Sequence, residues 1–241
     1  TYKDKISKAR IGEIKTKSGI IETPFFMPVA TKGAVKFITF NELIEIGTKA
    51  VISNAFMLSL RPGANLIRKL GGIGKFMNFS GITVTDSGGF QMYSPSIYLQ
   101  SNDEGIIFRN PISGEKIFIS PEENMKMQLA IGSDIAMCLD SMPLYENSKE
   151  LIRNSVLKTT LWAKKCKKAH NFLQRNQKNK QLLFGITQGG VFKDLREKSI
   201  NEITSYDFDG YSIGGLGLGE KKKEEFSIIE LHKKLIPENK P

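Results

Sequence analysis

Short apolar runs alternate with helical segments along this chain, and that alternation restricts the possible folds more than any other feature. The runs that fit short buried strands are 25–29, 50–54, 82–86, 134–139, 182–187 and 210–213. Strands that alternate with helices are typical of a parallel sheet covered by helices. A GxGxxG fingerprint is absent after the first strand, which argues against a dinucleotide-binding fold. We therefore predict an α/β protein, a (β/α)8 TIM-type barrel that is incomplete here at about six βα units.

Two hairpins accompany the predicted barrel. Alternating apolar and polar residues on both sides of 17–19 indicate an N-terminal β-hairpin that serves as a lid or plug, and 113–114 marks the turn of an inserted hairpin. Thr39 and Ser120 each precede a glutamate by three residues, which is typical of a helix start. The expected helices cover 39–46, 62–70, 120–130, 148–172, 193–204 and 220–235. No linker interrupts the pattern, so we expect residues 1–241 to form one barrel domain that lacks its C-terminal strands.

The net charge of the chain points toward a polyanionic partner. The chain has 35 lysines and arginines against 25 aspartates and glutamates, a formal charge of +10, and phosphate contacts are made mainly by these cations. Compositional drift is the alternative, because the chain is rich in Lys, Asn and Ile. Cys138 and Cys166 form neither a disulfide framework nor a metal-ligand spacing. No stretch resembles a membrane span or a signal peptide, so we expect a cytoplasmic protein without a membrane partner.

Polar residues follow several of the predicted strands. Asp86 ends one strand and leads into the turn 87–89, whose two glycines let backbone amides approach a ligand closely. The same pattern recurs at Asp140, at Gln188 and at 214–216. The carboxyl ends of parallel strands meet at one face of a barrel, so we expect these groups to converge. For each of them taken alone, a role in its own turn is the alternative.

The converging groups suit a flat heterocycle. They comprise two carboxylates, one amide and free peptide groups, without His, Cys or Lys. Carboxylates accept hydrogen bonds from a ring N–H and an exocyclic amine, while an amide and a backbone N–H donate to a carbonyl oxygen. A guanine-like edge presents these complementary groups, and Phe90 with nearby methionines could cover the ring face. The sequence therefore predicts a purine-type base as the ligand.

Four long segments carry a resemblance to a known family. They are 60–63 (LRPG), 85–91 (TDSGGFQ), 184–192 (FGITQGGVF) and 207–216 (DFDGYSIGGL). In order and over nearly the whole chain, they resemble the tRNA-guanine transglycosylases, the queuine/archaeosine tRNA-ribosyltransferase family. The resemblance implies a zinc-containing (β/α)8 barrel that exchanges a guanine in tRNA for a 7-deazaguanine through a covalent ribosyl-aspartate intermediate. The partners it implies are tRNA, the guanine or 7-deazaguanine base, and a second copy or another chain.

The resemblance also assigns roles to individual residues. Asp86 matches the family's general acid/base, which also contacts the base, and Asp140 matches the carboxylate that recognises the pyrimidine edge. Gln188 and Gly215 match the groups that bind the base carbonyl, and Leu216 offers its carbonyl to the ring substituent. The other members of the predicted substrate site are Ser87, Gly88, Gly89 and Phe90.

Three departures from the family pattern carry consequences. The family's aspartate nucleophile and its Cys/His zinc site, with the basic surface around it, are expected past residue 241, so we expect no metal ligand within this chain and no base exchange by this chain alone. Met57 stands where bacterial members usually have His, and Ser141, Met142 and Pro143 follow Asp140 where those members continue with Glu and Cys. By the same resemblance, Leu218 would narrow the pocket near the ring substituent and favour the small 7-aminomethyl base over the bulkier queuine. The target that the resemblance implies is the guanine at the anticodon wobble position.

Two other functions stay open on the sequence. One is a non-catalytic RNA-binding partner subunit, which would not need Asp86, Asp140 and Gln188. The other is an unrelated TIM-barrel enzyme in which the glycine-rich segment 214–219 holds a phosphate. The dependence of ligand binding on Asp140 distinguishes these functions.

Overall fold

The computed structural model describes residues 2–6, 9–142 and 148–241. The strands in chain order are β1 (Tyr2–Lys3), β2 (Arg10–Thr16), β3 (Gly19–Thr23), β4 (Ala50–Asn54), β5 (Ile82–Asp86), β6 (Tyr98–Asn102), β7 (Gly105–Arg109), β8 (Lys116–Ile119), β9 (Ile135–Met137), β10 (Leu182–Thr187) and β11 (Gly210–Ile213). The helices are α1 (Phe40–Glu45), α2 (Ala55–Leu60), α3 (Ala64–Lys69), α4 (Ile73–Met77), α5 (Gly89–Met92), α6 (Pro121–Ile131), α7 (Lys149–Leu173), α8 (Lys193–Thr204) and α9 (Lys222–Leu235).

Parallel strands form the central sheet. Their order is β4-β5-β9-β10-β11, and every pairing between them is parallel. Helices precede and follow these strands along the chain, and all five strands end at the same edge. This arrangement confirms the predicted α/β class and is consistent with part of a TIM-type barrel.

The prediction of a first strand at 25–29 is wrong. The contact of this segment with the sheet is a single parallel bridge between Val29 and Ile52, supported by the Ile52 N–H donating to the Pro28 carbonyl at 3.1 Å. Pro24 and Pro28 have no N–H to donate, so a continuous ladder cannot form across this segment. Phe26 and Val29 are accordingly exposed, at 82% and 62%.

The N-terminal hairpin is confirmed, and it covers the start of the central strands. Ile14 of β2 faces Ile21 of β3, and both are buried. They pack against the first residues of three central strands, Ala50, Ile82 and Ile135. The Ser18 N–H donates to Asp134 Oδ1 at 3.1 Å. The hairpin therefore closes the end of the sheet opposite to Asp86.

The inserted hairpin is also confirmed, as strands β7 and β8. A strand that the sequence did not indicate, β6, extends it to an antiparallel three-stranded sheet. Phe108 of β7 meets Phe56 of α2 edge-on, with 4.7 Å between ring centroids. This contact joins the insertion to the helix that follows β4.

Side-chain caps explain the starts of α1, α2, α6 and α7. Thr39 and Glu42 form a capping box at α1, and the Ser120 side chain accepts the Glu123 N–H at the start of α6. Helix α3 begins at Ala64 and not at Pro62, because the chain enters it through Gly63 at φ 107°. The short helices α2, α4 and α5 carry too little periodicity to be predicted. Among the described residues, no helix is long and apolar enough to cross a membrane.

Candidate active site

The ends of β4 and β5 hold Asp86 in place. The register of the two strands sets Asn54 opposite Asp86, and Asn54 Nδ2 donates to Asp86 Oδ1 at 3.0 Å. The Gly88 N–H donates to the same oxygen at 2.6 Å. Asn54 in turn accepts the Met57 N–H through its own Oδ1 at 2.8 Å, which caps α2. Both bonds therefore use one carboxylate oxygen, and Asp86 Oδ2 has no hydrogen-bond partner among the described residues.

Asp140 follows β9 and is bound on both oxygens. Ser87 Oγ donates to Asp140 Oδ1 at 3.2 Å, and Gln188 Nε2 donates to Asp140 Oδ2 at 2.7 Å. The carboxyl group is buried, with 5% of the residue exposed. The turn after β5, the carboxylate after β9 and the amide after β10 thus form one hydrogen-bonded cluster.

Glycine is required at both positions of the turn after β5. A Cβ on Gly88 would lie 2.2 Å from Phe56 Cβ, and the φ of Gly88 is 82°. A Cβ on Gly89 would lie 2.5 Å from Asp140 Oδ1. A side chain on Gly89 would displace the Asp140 carboxylate, and one on Gly88 would displace Phe56, so the two glycines allow the close approach that the cluster needs.

The turn after β11 lies against Gln188. A Cβ on Gly214 would lie 2.6 Å from Gln188 Nε2, and one on Gly215 would lie 2.7 Å from Gln188 Oε1. Leu216 follows in the same turn and is partly buried. Phe90 lies on α5 with 44% of its surface exposed, so its ring is accessible beside the cluster. The structure therefore brings together the strand-end residues that the sequence singled out, while their individual roles stay predictions.

Both carboxyl groups titrate close to neutral pH. Burial raises the pKa of Asp86 to about 7, and the nearby Asp140 charge adds to this rise. Burial also raises the pKa of Asp140 to about 6, although hydrogen bonds from Gln188 and Ser87 oppose it. Carboxyl groups with such pKa values can exchange protons with a ligand at physiological pH.

Several groups that support this cluster escaped the sequence analysis. The bond from Asn54 to Asp86 depends on the register of two strands, which the sequence does not show. Asn124 of α6 donates to the Ser87 carbonyl at 2.9 Å, and Arg196 of α8 donates to the Gly215 carbonyl at 3.4 Å. Their partners are backbone atoms of distant segments, and no local pattern reports such a contact.

The described part of the chain does not fit a metal ion. None of its His, Cys, Asp and Glu side chains form a group of three or more that could hold one. Cys138 and Cys166 are buried and free, and burial raises the pKa of the Cys166 thiol to about 12. Thiolates are the zinc-binding form of cysteine, so this environment disfavours binding. Pro143, which the sequence analysis named among the residues that follow Asp140, lies outside the described residues.

The similarity of this chain to known proteins identifies its family. The sequence profile of the family described as queuine tRNA-ribosyltransferase matches residues 4–241. The chain belongs to the queuine tRNA-ribosyltransferase family. This finding confirms the resemblance that the four sequence segments indicated.

Curated members of the queuine tRNA-ribosyltransferase family are similar to this chain over nearly all of it. A queuine tRNA-ribosyltransferase of Pelotomaculum thermopropionicum is 45% identical over 241 residues, which are 100% of this chain and 64% of the relative. Those of Halalkalibacterium halodurans and a Thermoanaerobacter species are also 45% identical, over 98% and 99% of this chain and 61% and 62% of the relatives. The chain thus spans less than two thirds of the length of these relatives.

Proposed function

We propose that this chain carries the base-binding site of a tRNA-guanine transglycosylase, a cytoplasmic pentosyltransferase. The reaction replaces a guanine in tRNA with a 7-deazaguanine through a covalent bond between ribose and an aspartate. The observation that carries the proposal is the buried cluster in which Ser87 and Gln188 both donate to Asp140, beside Asp86. Family membership and the printed names of the relatives support the same reaction.

The cluster offers a complement to the guanine edge. Asp140 would accept hydrogen bonds from the ring N1–H and the 2-amino group, and Gln188 Nε2 and the Gly215 N–H would donate to the base carbonyl. Gln188 Nε2 now donates to Asp140, so the arriving base would replace this bond with its own. The Leu216 carbonyl would face the substituent of the 7-deazaguanine. A base that lacked one of these groups would leave a buried partner unsatisfied, which makes the site selective.

Asp86 is the proposed general acid and base. Its pKa, which burial raises to about 7, lets the carboxyl group give a proton to the departing guanine and take one from the incoming base. Hydrogen bonds from Asn54 and Gly88 hold one of its oxygens and leave the other to face the ligand.

The nucleophile is proposed to come from outside these residues. Asp86 and Asp140 both have proposed roles in binding the base, so neither is available to attack the ribose. We infer that residues 1–241 bind the base and that exchange needs the rest of the protein or a second polypeptide, which would also supply the zinc site. A second copy of the chain or a partner chain, and tRNA itself, are the proposed macromolecular partners.

The alternative of a phosphate-binding barrel is less well supported. The Gly217 and Leu218 N–H groups, which a phosphate would need, both donate to the carboxylate of Glu220. A carboxylate already in the glycine-rich turn repels a phosphate and occupies its donors. We therefore place the ligand at Asp140 and not at the 214–219 turn.

Binding of free guanine tests the proposal. Isothermal titration of the chain should give binding that Asp140→Asn lowers at least tenfold, because the new side-chain amide would present a donor to the base N1–H where the carboxylate accepts. The matched control Asp194→Asn changes an exposed carboxylate on α8 and should leave affinity unchanged. Guanine binding that ignores the Asp140 substitution would contradict the proposal, and phosphate binding in its place would favour the alternative.

Incorporation of labelled guanine into tRNA tests the proposal that the nucleophile comes from outside these residues. We expect none from residues 1–241 alone and incorporation when a C-terminal polypeptide of a relative is added. Incorporation by the chain alone would show that the nucleophile lies among the residues described above.

A further inference from the structure

Arg196 is an arginine that the fold buries completely. It lies in the first turn of α8 with none of its surface exposed. Among the described residues, no carboxylate lies within ion-pair distance of it. An unpaired buried charge is costly unless hydrogen bonds compensate it. The contacts of this side chain therefore need a structural explanation.

The guanidinium of Arg196 binds three backbone carbonyls. Nε donates to the Gly190 carbonyl at 2.6 Å, Nη1 to the Thr187 carbonyl at 3.3 Å, and Nη2 to the Gly215 carbonyl at 3.4 Å. Two of these carbonyls belong to the end of β10 and the turn after it, and the third belongs to the turn after β11. The planar fork of an arginine can hold three such acceptors at fixed relative positions, whereas a lysine ammonium has no such geometry.

The carbonyls that Arg196 binds surround Gln188. Thr187 precedes Gln188, and the Thr187 carbonyl also accepts the Gly214 N–H at 2.9 Å. Gly214 and Gly215 pack directly on the Gln188 side chain, too closely for any Cβ. A shift of the turn after β11 would therefore move both the Gln188 amide and the Gly215 N–H.

We propose that Arg196 is a positioning residue that sets the carbonyl-recognising half of the base site. It fixes the turn after β11 against the end of β10, so that the Gln188 amide and the Gly215 N–H converge on one acceptor of the ligand. The inference rests on the function proposed above, in which these two groups bind the base carbonyl. In the acidic half of the site, Asn54 and Gly88 hold Asp86, and Ser87 holds Asp140 on the oxygen that does not contact Gln188, so these contacts do not involve Arg196.

The protonation state of Arg196 agrees with this role. Burial lowers the pKa of its guanidinium to about 10, so the group is still charged at neutral pH. Hydrogen bonds from a charged donor are stronger than neutral ones. A charged Arg196 therefore holds the turn after β10 and the turn after β11 together more firmly than a neutral donor would.

Two substitutions of Arg196 test the proposal. Arg196→Met keeps much of the volume but removes every donor, and Arg196→Lys keeps the charge but cannot span three carbonyls. Lys198→Met is the matched control, because Lys198 is an exposed lysine on the same helix. Circular dichroism checks that each variant is folded.

Affinities for two bases separate positioning from a general loss of structure. We expect Arg196→Met to weaken guanine binding roughly tenfold and Arg196→Lys to weaken it less. 6-Thioguanine keeps the N1–H and the 2-amino group but replaces the carbonyl oxygen with sulfur, a weak acceptor, so its affinity should change much less. Equal losses for both bases, or none in folded Arg196→Met, would overturn the proposal.

Amide hydrogen exchange of the unliganded chain gives a second, independent answer. We expect Arg196→Met to speed exchange in the turn 214–216 and to leave the turn 87–89 unchanged. Unchanged exchange in 214–216 would overturn the positioning role. If the unsubstituted chain binds no guanine, the proposed function fails, and this measurement still decides whether Arg196 holds the turn.

Discussion

Asp86 and Asp140 are carboxyl groups that the fold removes from water without giving them a cation. No lysine or arginine of the described chain forms an ion pair with either one. Burial raises the pKa of both, to about 7 and about 6, so the folded state binds protons that the unfolded chain releases. The contribution of these groups to stability is therefore full below a pH of about 4 and is lost as the pH rises to about 7. The site is ready for proton transfer at a cost in stability.

Asp86→Asn should stabilise the protein at high pH. The amide oxygen can still accept from Asn54 and Gly88, while the charge that burial disfavours is gone. We expect the free energy of unfolding to rise by a few kcal/mol at pH 8 and by almost nothing at pH 4, since a rise of the pKa from 3.8 to about 7 corresponds to roughly 4 kcal/mol. Urea denaturation at both pH values measures this. An equal effect at pH 4 and pH 8 would show that charge burial is not its cause.

Guanine affinity should depend on the ionisation of Asp140. The carboxylate can accept two hydrogen bonds from the base, and protonation turns one oxygen into a donor that faces another donor. Because burial raises the pKa of Asp140 to about 6, we expect affinity to fall progressively as the pH drops from 7 to 5. Titration calorimetry at several pH values measures this dependence. Constant affinity over this range would contradict the role of Asp140.

Helix α6 connects the turn after β5 to the sheet. Asn124 and Gln128 are both fully buried on this helix. Asn124 Nδ2 donates to the Ser87 carbonyl at 2.9 Å, and Gln128 Nε2 donates to Asn124 Oδ1 and to the Met137 carbonyl, both at 2.7 Å. Two amides one helical turn apart thereby join the end of β5 to the end of β9. The helix supports the site without contributing a group to it.

Asn124→Ala should weaken both the fold and the site. The substitution leaves the buried Ser87 carbonyl without its Asn124 donor and removes one of the two acceptors of Gln128 Nε2. An unsatisfied buried group costs about 1–3 kcal/mol. We expect a lower melting temperature and, because Ser87 donates to Asp140, weaker guanine binding. Glu123→Ala, an exposed change on the same helix, is the control and should affect neither by a comparable amount. Unchanged guanine affinity in folded Asn124→Ala would limit its role to stability.

The elements of this fold differ in how far their sequence predicts them. Helix α8 begins and ends where the sequence predicted, and β4, β5 and β10 match their apolar runs, because periodicity and apolar runs are local signals. The strand prediction for 25–29 is wrong because Pro28 within the segment and Pro24 before it have no N–H to donate to a ladder. Convergence of Asp86, Asp140 and Gln188 was predictable from the parallel order of the strands alone. Arg196 was not, because its partners are carbonyls that only tertiary packing brings near α8.

Across the whole molecule, the two ends of the central sheet have different tasks. The carboxyl ends of the strands hold the titratable cluster, whereas the amino ends hold apolar contacts with the hairpin of β2 and β3. Lys17 Nζ donates to the Gly132 carbonyl at 2.7 Å and fastens the hairpin there. In TIM-type folds the amino end of the strands is associated with stability and the carboxyl end with chemistry. Changes at the two ends should therefore separate the two properties.

Ile21→Ala tests this separation. Ile21 is 1% exposed, and truncating a buried isoleucine to alanine typically costs about 2–5 kcal/mol. We expect the free energy of unfolding to fall by that amount while guanine affinity at a temperature where the variant is folded stays within about twofold. Ile20→Ala, an exposed neighbour at 63%, should leave stability almost unchanged. Loss of affinity in folded Ile21→Ala would show that the two ends are coupled.

The sequential strand order also has a consequence for how the chain acquires its structure during synthesis. Each central strand pairs with the central strand made just before it, so every new unit meets an edge that has already formed. Loop closure between such neighbours is inexpensive, and a nascent chain can add them one at a time. The hairpin of β2 and β3 is the exception, because 116 residues separate Ser18 from its partner Asp134. This hairpin is made before β9, so its bond to Asp134 can form only after the start of β9 has been synthesised.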